Sequence, residues 1–124
     1  MRINNESAEP IFQQIANGVE DAILSGAFPE EEQIPSTTEI SVTYKINPAT
    51  ALKGITLLAD GGILYKKRGI GMFVAEGARR KIELKRREAF FQNYILALVG
   101  EAKNLRLSEE DIKKMIESGF RDEH

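Results

Sequence analysis

The sequence predicts an α+β fold: three short helices closed by a basic two-strand hairpin, then a tail of two helices. Three observations predict it. Caps and glycines fence off three stretches of helical periodicity before residue 62. A Gly-x-Gly in "YKKRGIGMFV", residues 65–74, lies between two β-prone runs. Beyond residue 77, apolar residues recur at three, four and seven with no proline among them.

Each element is justified in turn. Pro10 suits a first helical position, and Ile11, Ile15, Val19 and Ile23 recur every fourth residue until Gly26, a glycine that ends helices. "AFPEEEQIPS" is a Pro-bounded loop. Ser36, with Glu39 three residues on, forms a capping box for a second helix reaching Tyr44. "KIN" leaves room only for a tight turn. Asn47 then caps a third helix, Pro48 opens it, Leu52, Ile55, Leu58 and Ala59 supply its buried stripe, and Gly61-Gly62 stops it. Ile11, Ile15, Leu52, Ile55, Leu58 and Phe73 are the expected core.

The Gly-x-Gly has two readings, a cradle for a nucleotide phosphate or the turn of a hairpin. A dinucleotide or P-loop site needs its glycines after a strand and before a helix, with a longer spacing than is present here. Here a β-prone run follows, "MFVA", so the hairpin is the simpler reading. Three helices with a tight helix-turn-helix and a basic hairpin are the plan of a winged helix, whose third helix enters the major groove of DNA.

Composition limits the alternatives. A chain of 124 residues, 42% hydrophobic, buries one small core with a short appendage. It has no Cys, and its one His is the terminal His124, so thiolate chemistry, disulfides and the usual general base and metal ligand are missing. No catalytic residue, metal site or cofactor is expected, and the carboxylates sit in solvated runs such as Glu30-Glu31-Glu32. "MRINNESAEP" lacks the apolar core of a signal peptide, and the longest apolar run, Tyr94–Val99, is far short of a bilayer span, so a cytoplasmic protein without membrane contact is expected. Net charge is −2, yet residues 6–39 carry eight acids and no Lys or Arg, whereas residues 45–68 carry five bases and one acid. That polarity suits a nucleic-acid face better than the total does.

The motifs "PIFQQI", "ILSGAF", "QIPSTTEIS", "INPATALKGITLLADGGIL" and "GIGMFV" together resemble the DNA-binding domain of the GntR family of bacterial transcription regulators, over residues 10–74. The short tail further resembles the YtrA subfamily, whose C-terminal part is a pair of dimerising helices without a larger effector-binding domain. The resemblance implies double-stranded DNA as the partner. Two departures stand out. Thr38 occupies a position where the family usually has an Arg that contacts DNA, and Asn47-Pro48 replaces the Ser-Arg of many members. Base readout at guanine-rich steps is therefore expected to be weaker or differently placed. Thr50 matches a family Thr near the backbone, and Gly69 and Gly71 match the wing-tip glycines.

Site roles follow. Ser36, Thr37 and Thr38 can offer hydroxyls and helix N-terminal amides to a phosphate, although Ser36 and Asn47 also serve as caps. Asn47, Pro48, Ala49, Thr50 and Lys53 begin the reading helix, and Lys66, Lys67 and Arg68 give the wing its charge. In the tail, Leu84, Phe91, Ile95, Leu98, Ala102 and Leu105 mark one continuous amphipathic helix from about residue 78 to 104. Ser108 and Asp111 cap a second, striped by Ile112, Met115 and Ile116. Two such helices bury too little alone. They pack either against a second copy or back onto the same chain, and the homodimer is the preferred reading. Residues 8–76 are thus expected to be a winged-helix DNA-binding domain and residues 77–124 a dimerisation tail. The expected function is a sequence-specific regulator, a homodimeric repressor on an inverted-repeat operator, not an enzyme. The alternative is a helical protein-interaction module that binds no DNA. The sequence names no small-molecule effector.

Overall fold

The structure is a computed structural model that describes residues 1–122, so His124 lies outside the described residues. Contacts divide the chain into two compact units, residues 1–84 and 85–124.

In the first unit, α1 (Ile11–Ser25) presents Ile15, Ala16, Val19 and Ile23 to the core. Pro10 is its N-cap and not its first helical residue. Gly26 ends it at φ 88°, a left-handed conformation that costs glycine little. Then α2 (Thr37–Tyr44) begins at the predicted capping box: Ser36 Oγ accepts from the Glu39 N–H at 3.0 Å, and the Ser36 N–H donates to Glu39 Oε1 at 3.0 Å. Ser41 Oγ donates to the Ile46 carbonyl at 2.8 Å and fixes the turn into α3 (Pro48–Asp60). Asn47 caps α3, its Oδ1 accepting from the Ala49 N–H at 2.7 Å.

The hairpin pairs β1 (Leu64–Lys67) with β2 (Gly71–Val74), antiparallel, with Leu64 opposite Val74 and Lys67 opposite Gly71. The segment read as a loop also has a structural role. The Glu31 and Ile34 N–H groups donate to the Val74 and Met72 carbonyls at 2.8 and 3.0 Å, so residues 31–34 run along the free edge of β2. That pairing satisfies an edge that would otherwise invite association.

Two core expectations are overturned. Leu52 is 54% exposed. The buried face of α3 is Ala51, Gly54, Ile55 and Leu58, because α3 lies against α1 so closely that a Cβ on Gly54 would stand 2.7 Å from the Phe12 carbonyl oxygen. Small residues, not Leu52, therefore occupy the contact. Phe73 is half-buried and stacks on Tyr65 at 5.8 Å between ring centres, on the outer face of the hairpin, since side chains alternate along a strand and Val74 takes the inward place.

The first turns of α4 (Ala78–Phe90) belong to this unit: Ala78 and Ile82 are buried in its core, and the Lys81 ammonium donates to the Gly62 carbonyl at 3.3 Å. Glu30 caps α4 from the distant loop, accepting the Gly77 and Arg79 N–H groups at 2.8 and 3.2 Å.

The single long tail helix of the sequence reading is interrupted. A π-helical turn at Phe91–Ile95, in which the Leu96 N–H reaches the Phe91 carbonyl five residues back, separates α4 from α5 (Leu96–Asn104). One extra residue in a turn rotates everything beyond it, which is why the apolar stripe widens around Phe90, Tyr94 and Leu96. In the second unit, α6 (Glu109–Asp122) starts at a capping box, Ser108 Oγ accepting from the Asp111 N–H at 3.0 Å and Asp111 Oδ2 accepting from the Ser108 N–H at 2.9 Å. Leu98, Ala102, Leu105, Leu107, Ile112, Met115 and Ile116 line an apolar groove along this hairpin of helices.

Candidate nucleic-acid interface

Two shallow grooves flank the exposed face of α3. The first, of about 440 Å³, is lined by Ser36, Thr37 and Thr38 at the start of α2, by Leu52, Ile55, Thr56 and Ala59 of α3, and by Lys66, Gly71 and Met72 of the hairpin. The second is lined by Phe12 of α1 and by Ala49, Leu52, Lys53, Thr56, Leu57 and Asp60 of α3. Leu52 and Thr56 belong to both and form the ridge between them.

The predicted residues are only partly brought together. Ser36, Thr37, Thr38, Lys66 and Gly71 share the first groove, and Ala49 and Lys53 share the second. Asn47, Pro48 and Ala49 are exposed at the start of α3, with Thr50 half-buried beside them. Lys53 is held by its ammonium over the Phe12 ring at 4.1 Å, a cation–π contact that directs it along the α1 side. The three wing cations do not act from one face. Lys66 faces the first groove, whereas Lys67 sits over the Phe73 ring at 4.1 Å on the opposite side of the strand. Arg68 and Gly69 are exposed at the tip. Gly69 (φ 75°) makes the turn, and Gly71 (φ 147°) leaves room for Gln33, whose Nε2 donates to the Ile70 carbonyl at 2.9 Å.

Ser36 is a cap before it is anything else, because both its N–H and its Oγ are engaged with Glu39. The Ser36 N–H, followed by its hydroxyl, holds the Glu39 carboxyl below its ordinary pKa, so the α2 N-terminus carries a resident anion. Leu52 and Thr56 are the residues missing from the sequence-based list of contacts. A leucine at helical spacing reads as core, and only the small residues Ala51 and Gly54 beside it signal that the buried face lies one position round.

Of the tail residues, Leu84 falls in the first unit and is exposed. In the second unit Phe91, Leu105, Met115 and Ile116 are exposed, Ile95, Leu98 and Ile112 are half-buried, and Ala102 is buried. No helix among the described residues is long and apolar enough to cross a membrane, and no acidic or His cluster among them is placed to hold a metal ion.

The family described as "Bacterial regulatory proteins, gntR family" matches residues 11–74, α1 through the end of the wing. The chain belongs to the GntR family. Membership makes this GntR protein a DNA-binding transcription regulator and not an enzyme. It is 29% identical to the HTH-type transcriptional repressor YtrA of Bacillus subtilis over 64% of this chain and 61% of YtrA. A solved GntR-family transcriptional regulator from Bacteroides thetaiotaomicron is 34% identical, with a TM-score of 0.78 over 90% of this chain and 96% of that one. That likeness shows that the winged helix and the tail recur together. The AraR DNA-binding domain, solved in complex with operator DNA, is 27% identical, with a TM-score of 0.54 over 60% of this chain and 90% of that one.

Proposed function

We propose that this GntR protein is a cytoplasmic homodimeric repressor that binds an inverted-repeat operator, with α3 in the major groove and the wing along the backbone. The observation that carries the reading is the first groove, where the start of α2, the outer face of α3 and Lys66 of the wing converge. A helix ridge of base-edge width flanked by cations suits a major groove flanked by phosphates. YtrA bears the name of a repressor, and the AraR domain was solved on operator DNA, which supports the direction of the proposal. The second copy is supported by the tail, where Phe91, Leu105, Met115 and Ile116 remain exposed.

Salt titration tests the DNA contact. Replacing Lys66, Lys67 and Arg68 together by Ala should weaken binding to all sequences alike and flatten the slope of log K against log salt by up to about three units. An unchanged slope would remove the wing from the interface.

A further inference from the structure

We infer that Leu52 is a specificity-determining residue that reads the methyl group of thymine, so that each operator half-site presents a thymine to the middle of α3. This inference deepens the DNA-binding proposal and rests on it. Leu52 is more than half exposed at the centre of the reading helix, on the ridge between the two grooves. Ala49 stands three residues before it and Thr56 four after, so the ridge is a row of methyl-bearing side chains on one helix face.

What flanks that row fixes its partner. Lys53 stands on one side, held over Phe12, and Lys66 on the other, in the first groove. Two cations astride an apolar ridge match phosphates astride a base edge. No Arg occurs between Arg2 and Arg68, so neither α2 nor α3 can make the forked contact to guanine. Asn47, the side chain nearest in kind to an adenine reader, has its oxygen engaged by the Ala49 N–H. The one apolar group in the major groove is the C5 methyl of thymine, and it is the group that a leucine contacts with gain.

The test uses the full-length protein and the operator it enriches from random DNA. Each thymine is replaced in turn by deoxyuridine, which removes only the methyl. Wild type should lose about fourfold in affinity at one thymine or more per half-site, the value of one buried methyl. Leu52→Ala should bind the unmodified operator more weakly and show almost no further loss at that thymine. Leu52→Arg should shift the enriched base there toward guanine. Leu52 is outside the core, and melting curves verify that the variants fold; Leu52→Gln replaces any that does not. Equal binding of thymine and uracil operators by wild type, or a uracil penalty undiminished in Leu52→Ala, overturns the inference while leaving DNA binding intact. A protein that enriches no sequence overturns the DNA-binding proposal and this inference with it.

Discussion

Gly54 sets how closely the reading helix lies against α1. A methyl there would meet the Phe12 carbonyl oxygen at 2.7 Å and Ile15 carbon atoms at 3.1 Å, backbone and core that cannot swing aside. Gly54→Ala gains about 1 kcal/mol in helix propensity but forces apart two packed helices, at a cost of about 1–3 kcal/mol. The expected outcome is a lower melting temperature, where an exposed helical glycine would give a higher one. Among the wing cations, Lys66→Ala should reduce the salt slope by about one unit, and Lys67→Ala should reduce it less, because the Lys67 ammonium is directed over Phe73. Titrations of the single variants separate the two. At this scale the sequence was legible wherever a side chain announces its own role: Ser36, Asn47 and Ser108 cap as read. It was illegible where burial depends on a neighbour. Leu52 and Phe73 look like core by composition, and only the packing of α1 and the pleat of the hairpin turn them outward.

Among elements, α4 depends on a carboxylate far away in sequence. Hydrogen bonds from the Gly77 and then the Arg79 backbone N–H hold the Glu30 carboxyl below its ordinary pKa. A carboxyl whose pKa is lower folded than unfolded contributes stability above its unfolded value and loses it as pH falls through the folded one. Glu39 and Asp111, each held down first by a backbone N–H, of Ser36 and Ser108 respectively, act in the same direction. Stability should therefore fall on acidification below the ordinary carboxylate range. Glu30→Gln should remove part of that dependence, a difference that melting curves across acidic pH will show. Helices α1 to α3 and the hairpin were readable from periodicity, caps and glycines. The strand-like run at residues 31–34 was not, because it exists only as hydrogen bonds to Met72 and Val74. Nor was the π turn, which no residue of "FQNYI" signals and which changes which tail residues share a face.

For the whole molecule, the tail has to account for its exposed apolar side chains. If residues 85–124 join two copies, the second half-site is met at an effective concentration in the millimolar range, raising apparent affinity by about 10² to 10⁴. A chain ending after Leu84 keeps Ala78 and Ile82 in the core and should fold, yet be monomeric and bind the operator far more weakly. One ending at Glu76 would lose both residues, so it is the poorer test. Phe91→Asp or Leu98→Asp in the full chain should imitate the shorter chain by placing a charge in the interface, which sedimentation and DNA titration will report. The central claim is a two-fold regulator reading DNA with α3, and sequencing the random DNA fragments that the pure full-length protein retains tests it most directly. The account predicts an inverted repeat with half-sites about one helical turn apart. A single unrepeated half-site, or no enriched sequence at all, would contradict it.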